Sequence, residues 1–105
     1  MEPVPSIVFI SGPYRARTCF GVLLNILRAR RVAYRYWRDG HIVICPHANS
    51  AFMDRACSDE LWLDAYLTLL RHCGSIVMMR NWEQSTGAIA ERDAAIRAGI
   101  RVIYD

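Results

Sequence analysis

Four short apolar runs, separated by helix-like segments, constrain the fold more than any other feature of the sequence. They are rich in β-branched residues and show little polar alternation, which is typical of parallel strands covered on both faces. The runs occupy residues 6–10, 41–45, 75–79 and 101–104. Parallel strands need a crossover connection, usually a right-handed one through a helix. The sequence therefore predicts a three-layer α/β domain, Rossmann- or flavodoxin-like, with a four-stranded parallel sheet in the order 2-1-3-4.

Three helices are predicted between these strands. The second begins after a Ser58 cap and ends near Gly74, and the third begins at a cap of Ser85 or Thr86 and stops at Gly99. The first covers residues 18–39 and turns its arginines away from the core. Its apolar face is predicted to consist of Phe20, Leu23, Leu24, Leu27, Ala33 with Val32, and Trp37.

Polar residues follow the carboxyl ends of the first three strands, where ligands bind in open α/β sheets. A glycine in such a turn lets a ligand approach the backbone, and an arginine can bind phosphate through two hydrogen bonds. The segment of residues 46–57 is predicted to be a loop. The candidate binding residues are Ser11, Gly12, Arg15, Arg17, His47, Asn49, Trp82, Ser85 and Gly87.

Glu91 stands apart from the other charges of the last helix. At ~100° per residue it falls among Ala88, Ala94, Ala95 and Ala98, whereas the remaining charges form an opposite arc. Small residues on that side let the helix approach the sheet closely. Burial would raise the pKa of this carboxyl, and the helix N-terminus and loop donors would lower it. Glu91 is either a nucleophile or general base, or a structural partner of the loop.

Asp64 and Tyr14 are the other candidates for chemistry. Asp64 lies early in a helix and is expected to reach the same edge of the sheet, unless it only complements the helix dipole. Tyr14 offers a phenolic hydroxyl from the first turn, and Trp82 either stacks on a ligand ring or is a core or surface tryptophan. Ile89 and Ile96 fall among the charges of the last helix, which indicates either contact with a second subunit or incidental surface apolarity.

Length and composition indicate one domain over residues 1–105 with a net charge of +3. All thirteen basic residues are arginines, several of them between Arg28 and Arg38, but the patch is modest and nucleic-acid binding is not favoured. No apolar run approaches the ~20 residues of a membrane span, and residues 1–5 lack a signal-peptide pattern. A cytosolic protein is expected. Four widely spaced cysteines without a finger-type spacing favour buried apolar thiols over disulfides or zinc.

Four motifs resemble the nucleoside 2-deoxyribosyltransferase-like superfamily, within which the chain is similar to small bacterial and phage domains of unknown function (DUF4406 and DUF1937). The resemblance covers nearly the whole chain. The motifs are ISGPY at residues 10–14, ICPHxN at 44–49, LDA at 63–65 and WExSxGxxxE at 82–91. Their order and context are specific for the superfamily and much less so for the substrate.

The resemblance implies roles for particular residues. The glutamate matching Glu91 attacks the anomeric carbon, while the residues matching Asp64 and Tyr14 orient the sugar and the carboxylate. A serine at the position of Ser85 is found in relatives that hydrolyse nucleoside 5′-monophosphates. Ser11, Arg15 and Arg17 would fit a phosphate.

The expected function is N-glycosidic cleavage of a nucleoside 5′-monophosphate, or deoxyribosyl transfer, by a homo-oligomer that needs no metal or organic cofactor. A non-catalytic module that senses or sequesters a nucleotide is the rival hypothesis. A nucleic-acid-processing accessory protein is a weaker one.

Overall fold

A computed structural model describes residues 7–105 as one parallel sheet with helices on both faces. The predicted α/β class and strand order are confirmed, because the order is β2-β1-β3-β4. The strands are β1 Ile7–Ser11, β2 Ile42–Ile44, β3 Ser75–Met78 and β4 Arg101–Tyr104. Ser6, predicted to begin the first strand, lies outside the described residues, as do residues 1–5.

Four helices connect the strands: α1 Cys19–Arg38, α2 Pro46–Asn49, α3 Asp59–Leu70 and α4 Thr86–Arg97. Two predicted caps are confirmed. The Ser58 hydroxyl accepts a hydrogen bond from the Leu61 amide, and Ser85, rather than Thr86, accepts one from the Ala88 amide. No helix within residues 7–105 has both the length and the apolarity to span a membrane.

The core has two halves, one on each face of the sheet. Helix α1 covers one face with Ala29, Val32 and Ala33, whereas α3 and α4 cover the other with Tyr66, Leu70, Ala88 and Ala95. The two central strands supply most of the fully buried side chains, including Phe9, Ile10, Ile76 and Val77.

The predicted apolar face of α1 is wrong in most of its members. The buried residues are Ile26, Ala29, Val32 and Ala33. Of the predicted face only Ala33 and Val32 are buried, and Phe20, Leu23, Leu27 and Trp37 are exposed. The small side chains let the helix lie close to the sheet, and this close approach selects the face.

The segment after β2 is not a simple loop. It contains helix α2 and a 3₁₀ turn at Asp54–Ala56. Pro46 takes the first helical position, where its fixed φ is favourable and its missing N–H costs nothing. The predicted end of α3 near Gly74 is also too late, since the helix stops at Leu70.

The four cysteines are all free thiols. Cys73 is buried, and burial raises its pKa to about 11. Cys19 is exposed, in contrast to the expected burial of all four. Within residues 7–105 no three His, Cys, Asp or Glu residues form a cluster that could hold a metal ion.

Candidate active site

A cavity of about 480 Å³ opens at the carboxyl ends of β1 and β3. The crossovers place β2 on one side of β1 and β3 on the other, so this edge is the topological switch point of the sheet. The walls come from the turn after β1, the start of α2, the first two turns of α3 and the start of α4. The volume lies within the range typical of sites for small molecules.

Glu91 faces this cavity from the second turn of α4. The Ser11 hydroxyl, at the end of β1, donates a hydrogen bond of 2.6 Å to Glu91 Oε1. Ala88 and Ala95 are buried on the same helix, which brings its backbone close to the sheet. Desolvation raises the pKa of Glu91 to about 7, although the Ser11 hydrogen bond opposes the rise. At neutral pH both the protonated and the ionised form of the Glu91 carboxyl are therefore populated.

Ser85 and Gly87 shape the cavity wall at the start of α4. The Ser85 hydroxyl is engaged in capping, since it accepts the Ala88 amide at 3.1 Å. A methyl group added at Gly87 would meet only Ser85 Oγ, at 3.9 Å, so the space beside Gly87 is open. Both residues line the cavity. The positive end of the helix dipole points to the same place, which favours an anionic group there.

Gly12 is required by a close approach between two loops. An added Cβ would lie 2.6 Å from Met79 Sδ and 2.7 Å from Met79 Cβ, and Met79 is itself buried. The turn after β1 can therefore cross the end of β3 only without a side chain at this position.

Alanine at Gly12 should lower the free energy of unfolding by about 2 kcal/mol, because the turn or Met79 must move. Gly87→Ala is the matched control. It adds a methyl group in open space and gains helix propensity, so it should be neutral or stabilising by up to about 1 kcal/mol. Urea unfolding of both variants measures the difference. Equal effects would contradict the close contact at Gly12.

Tyr14 and His47 pack against each other at one end of the cavity. Their ring centroids are 5.8 Å apart with the planes at 72°. His47 Nε2 donates to the carbonyl of Pro13 at 2.8 Å, and burial lowers the pKa of the imidazole. His47 is therefore neutral at pH 7. The Tyr14 hydroxyl accepts the amide of Phe52 at 2.7 Å, so it holds the segment after α2 rather than the Glu91 carboxyl.

Trp62 and Tyr66 form a wall that the sequence did not single out as part of the site. Their rings are stacked with centroids 6.1 Å apart, and both line the cavity. The Tyr66 hydroxyl bonds to Ser50 Oγ at 2.6 Å and accepts from Asn49 Nδ2 at 3.1 Å. Asn49 thus supports Tyr66 and does not itself line this cavity. The i, i+4 spacing of the two aromatic residues in α3 was the signal available in the sequence.

The two candidate arginines of the first turn differ in position. Arg15 lines the cavity and forms an ion pair with Asp59 at the start of α3. Arg17 is exposed and does not line the cavity. Asp54 and Asp59 add two further carboxyl groups to the wall. Since the Arg15–Asp59 pair is largely exposed, an anionic ligand can compete for Arg15 at little cost.

Two further predicted residues, like Asn49 and Arg17, do not line the cavity. Asp64 is exposed on the outer side of α3 and does not line the cavity. Trp82 packs beside Tyr104, and the Arg92 guanidinium lies 4.9 Å from the centre of its indole ring. These placements agree with the alternatives of a surface acid for Asp64 and a packed tryptophan for Trp82, and their roles in function stay predictions.

These features define a parallel α/β protein with a partly desolvated carboxyl group at the switch point of its sheet. Residues 25–104 match the model of the family described as "Domain of unknown function (DUF4406)", and the chain belongs to this family. No curated protein matches the chain. The resemblance is thereby confirmed for the family, while membership of the wider nucleoside 2-deoxyribosyltransferase-like superfamily stays a prediction.

Proposed function

We propose that the protein cleaves the N-glycosidic bond of a nucleoside 5′-monophosphate, with Glu91 as the nucleophile. The supporting observation is the Glu91 carboxyl itself, which faces the switch-point cavity with a pKa of about 7 and is oriented by Ser11. Titratable groups with perturbed pKa values cluster at functional sites. The resemblance to nucleoside 2-deoxyribosyltransferases gives this carboxyl its role.

The reaction follows the two-step course of retaining glycosidases. The Glu91 carboxylate attacks the anomeric carbon while the bond from that carbon to the base breaks. The base leaves with the electron pair of that bond and takes a proton from solvent. Water then attacks the same carbon, the ester bond breaks with release of the Glu91 carboxylate, and the proton of the attacking water passes to solvent. A second base in place of water would make the same protein a transferase.

The phosphate is assigned to the region between Arg15 and the start of α4. Arg15 offers a guanidinium fork, and the first turn of α4 offers amide groups and a helix dipole. Gly87 leaves room for an anion to approach that turn. The base then has the stacked Trp62 and Tyr66 rings on its other side.

Chromatography of nucleosides and their 5′-monophosphates incubated with the wild type tests the proposal. We expect release of free base together with a sugar phosphate, and faster turnover of at least one monophosphate than of the matching nucleoside. Failure to release base from any ribo- or deoxyribonucleotide would overturn the proposed activity.

Arg15→Gln should lower kcat/KM for the monophosphate at least about tenfold and leave the nucleoside almost unaffected, since a charge-assisted contact to phosphate is lost. Arg17→Gln is the comparison, because Arg17 is an exposed arginine of the same turn that does not line the cavity. Steady-state kinetics with both substrates measures the contrast. An equal loss in the two variants, or a larger loss for Arg17→Gln, would contradict the assigned phosphate position.

A non-catalytic nucleotide-binding module is the second candidate. The position of Asp64 favours it, because the second acid expected from the resemblance is exposed and outside the cavity. Isothermal titration calorimetry with nucleoside monophosphates separates the two functions. Micromolar binding without release of base would support the module and exclude the enzyme.

A further inference from the structure

Helix α1 carries an exposed apolar stripe along one flank, next to the buried residues that face the sheet. At ~100° per residue its members fall within an arc of about 100°, which also contains the exposed Arg30 between Leu27 and Tyr34. The exposed fraction of these residues ranges from 41% to 69%. The members of this outer stripe are Phe20, Leu23, Leu27, Tyr34 and Trp37. Contiguous exposed apolar side chains of this size mark an interaction surface.

The charges of α1 restrict what can cover the stripe. Five arginines lie on α1, all of them exposed, and the helix contains no acidic residue. Two copies of α1 packed face to face would bring like charges together, which destabilises such a pairing. The fitting partner is a surface that is both apolar and acidic.

The outward side of α3 in the same chain has that character. Leu61 and Leu69 are 56% and 39% exposed. Glu60 and Asp64 are exposed beside them, and α3 contains no basic residue. Helix α3 also lies on the opposite face of the sheet from α1, as the two core clusters show. One molecule can therefore use both surfaces at the same time.

We propose that copies of this chain associate head to tail, with the outer stripe of α1 on one copy packed against the outward side of α3 on the next. Apolar contact supplies the attraction and complementary charge sets the pairing. The contact is heterologous, since each copy contributes a different surface, and repetition closes a ring or extends a filament. The outward position of Asp64 then has an explanation in assembly.

Helix α4 offers a different surface, which serves as the control. Ile96 is 51% exposed, but Ile89 is partly buried and the neighbouring charges, Arg92, Asp93 and Arg97, have both signs. The sequence had suggested this helix for a subunit contact. Ile96→Glu changes an exposed isoleucine outside the two proposed surfaces.

Analytical ultracentrifugation over a range of concentrations tests the assembly. The wild type should self-associate, and Leu27→Glu on α1 or Leu61→Arg on α3 should each weaken association at least about tenfold. Ile96→Glu should associate like the wild type. An equimolar mixture of the two interface variants should form heterodimers, because each retains one intact surface. Circular dichroism verifies that every variant is folded.

Several results would overturn the proposal. They are a monomeric wild type, association that Ile96→Glu disrupts as strongly as Leu27→Glu, and a mixture of the two interface variants that stays monomeric. A monomeric wild type that sediments with vesicles containing anionic lipid would assign the basic stripe to a membrane surface instead. Association that does not weaken with added salt would remove the charge complementarity that selects α3.

Discussion

Replacing Glu91 by glutamine should lower the rate of base release from a nucleoside 5′-monophosphate by at least about 10³-fold. The amide has nearly the same shape and its oxygen still accepts the Ser11 hydroxyl, so the surrounding structure is retained. What is lost is the negative oxygen that attacks the anomeric carbon. Substrate affinity should change far less than turnover, because the contacts assigned to phosphate and base remain.

Two further variants make this result specific. Glu91→Asp keeps a carboxyl but withdraws it by one methylene group, and misplacement of about 1 Å should cost about 10²-fold. Glu83→Gln alters an exposed glutamate of the same chain segment that does not line the cavity, and it should behave like the wild type.

Single-turnover kinetics and intact-mass measurement complete the experiment. Wild type should accumulate a covalent sugar phosphate adduct with a slow substrate, and Glu91→Gln should not. Base release by Glu91→Gln at the wild-type rate would show that another group attacks the sugar, even if the cavity is the correct site.

The position of the Glu91 carboxyl could be predicted from the sequence because it depends on local rules for helix capping and helix periodicity. Ser85 caps helix α4 and Gly99 follows its end. Between these two residues, the angular spacing of ~100° per residue places Glu91 among small side chains. A carboxyl in that position must lie against the sheet near the end of β1. The hydrogen-bond partner of Glu91 is Ser11 because strand β1 ends next to this part of α4.

The packing face of α1 could not be derived in the same way. The helix carries apolar residues on more than one side, so a hydrophobic pattern alone allows two faces. The sheet selects the side with Ala29 and Ala33, where the backbones approach closely, and leaves the larger residues outside. Which face of α1 packs on the sheet depends on how well the helix and sheet surfaces fit together, and sequence rules for a single helix do not describe that fit.

The hydrogen bonds within the cavity wall could not be predicted from the sequence either. Asn49 was expected to touch the ligand, but it holds the Tyr66 hydroxyl, a contact between residues 17 positions apart. Tyr14 was expected near the carboxylate, yet its hydroxyl accepts the amide of Phe52, 38 positions away. Such hydrogen bonds are set by the conformation of the segment after β2, which was predicted to be a loop.

The pH dependence of stability provides a test of Glu91 that needs no substrate. The pKa of this carboxyl rises from an ordinary value of 4.5 to about 7 on folding, because burial disfavours its charged form. The folded state therefore binds the proton more tightly than the unfolded state. The resulting stabilisation is fully present below pH 4.5 and is lost as the pH rises through 7. At about 1.4 kcal/mol per pH unit, the loss by pH 8 is at most about 3 kcal/mol.

Glu91→Gln cannot ionise, so its stability relative to the wild type should increase by up to about 3 kcal/mol between pH 4.5 and pH 8. Urea unfolding of both proteins across this range measures the difference, in which the titration of all other groups cancels. Glu83→Gln, at an exposed position, should show an almost constant difference from the wild type. A constant difference for Glu91→Gln as well would mean that the carboxyl is as well solvated in the folded chain as in the unfolded one. The proposed function would then lose the observation on which it rests, whatever the position of Glu91 in the cavity.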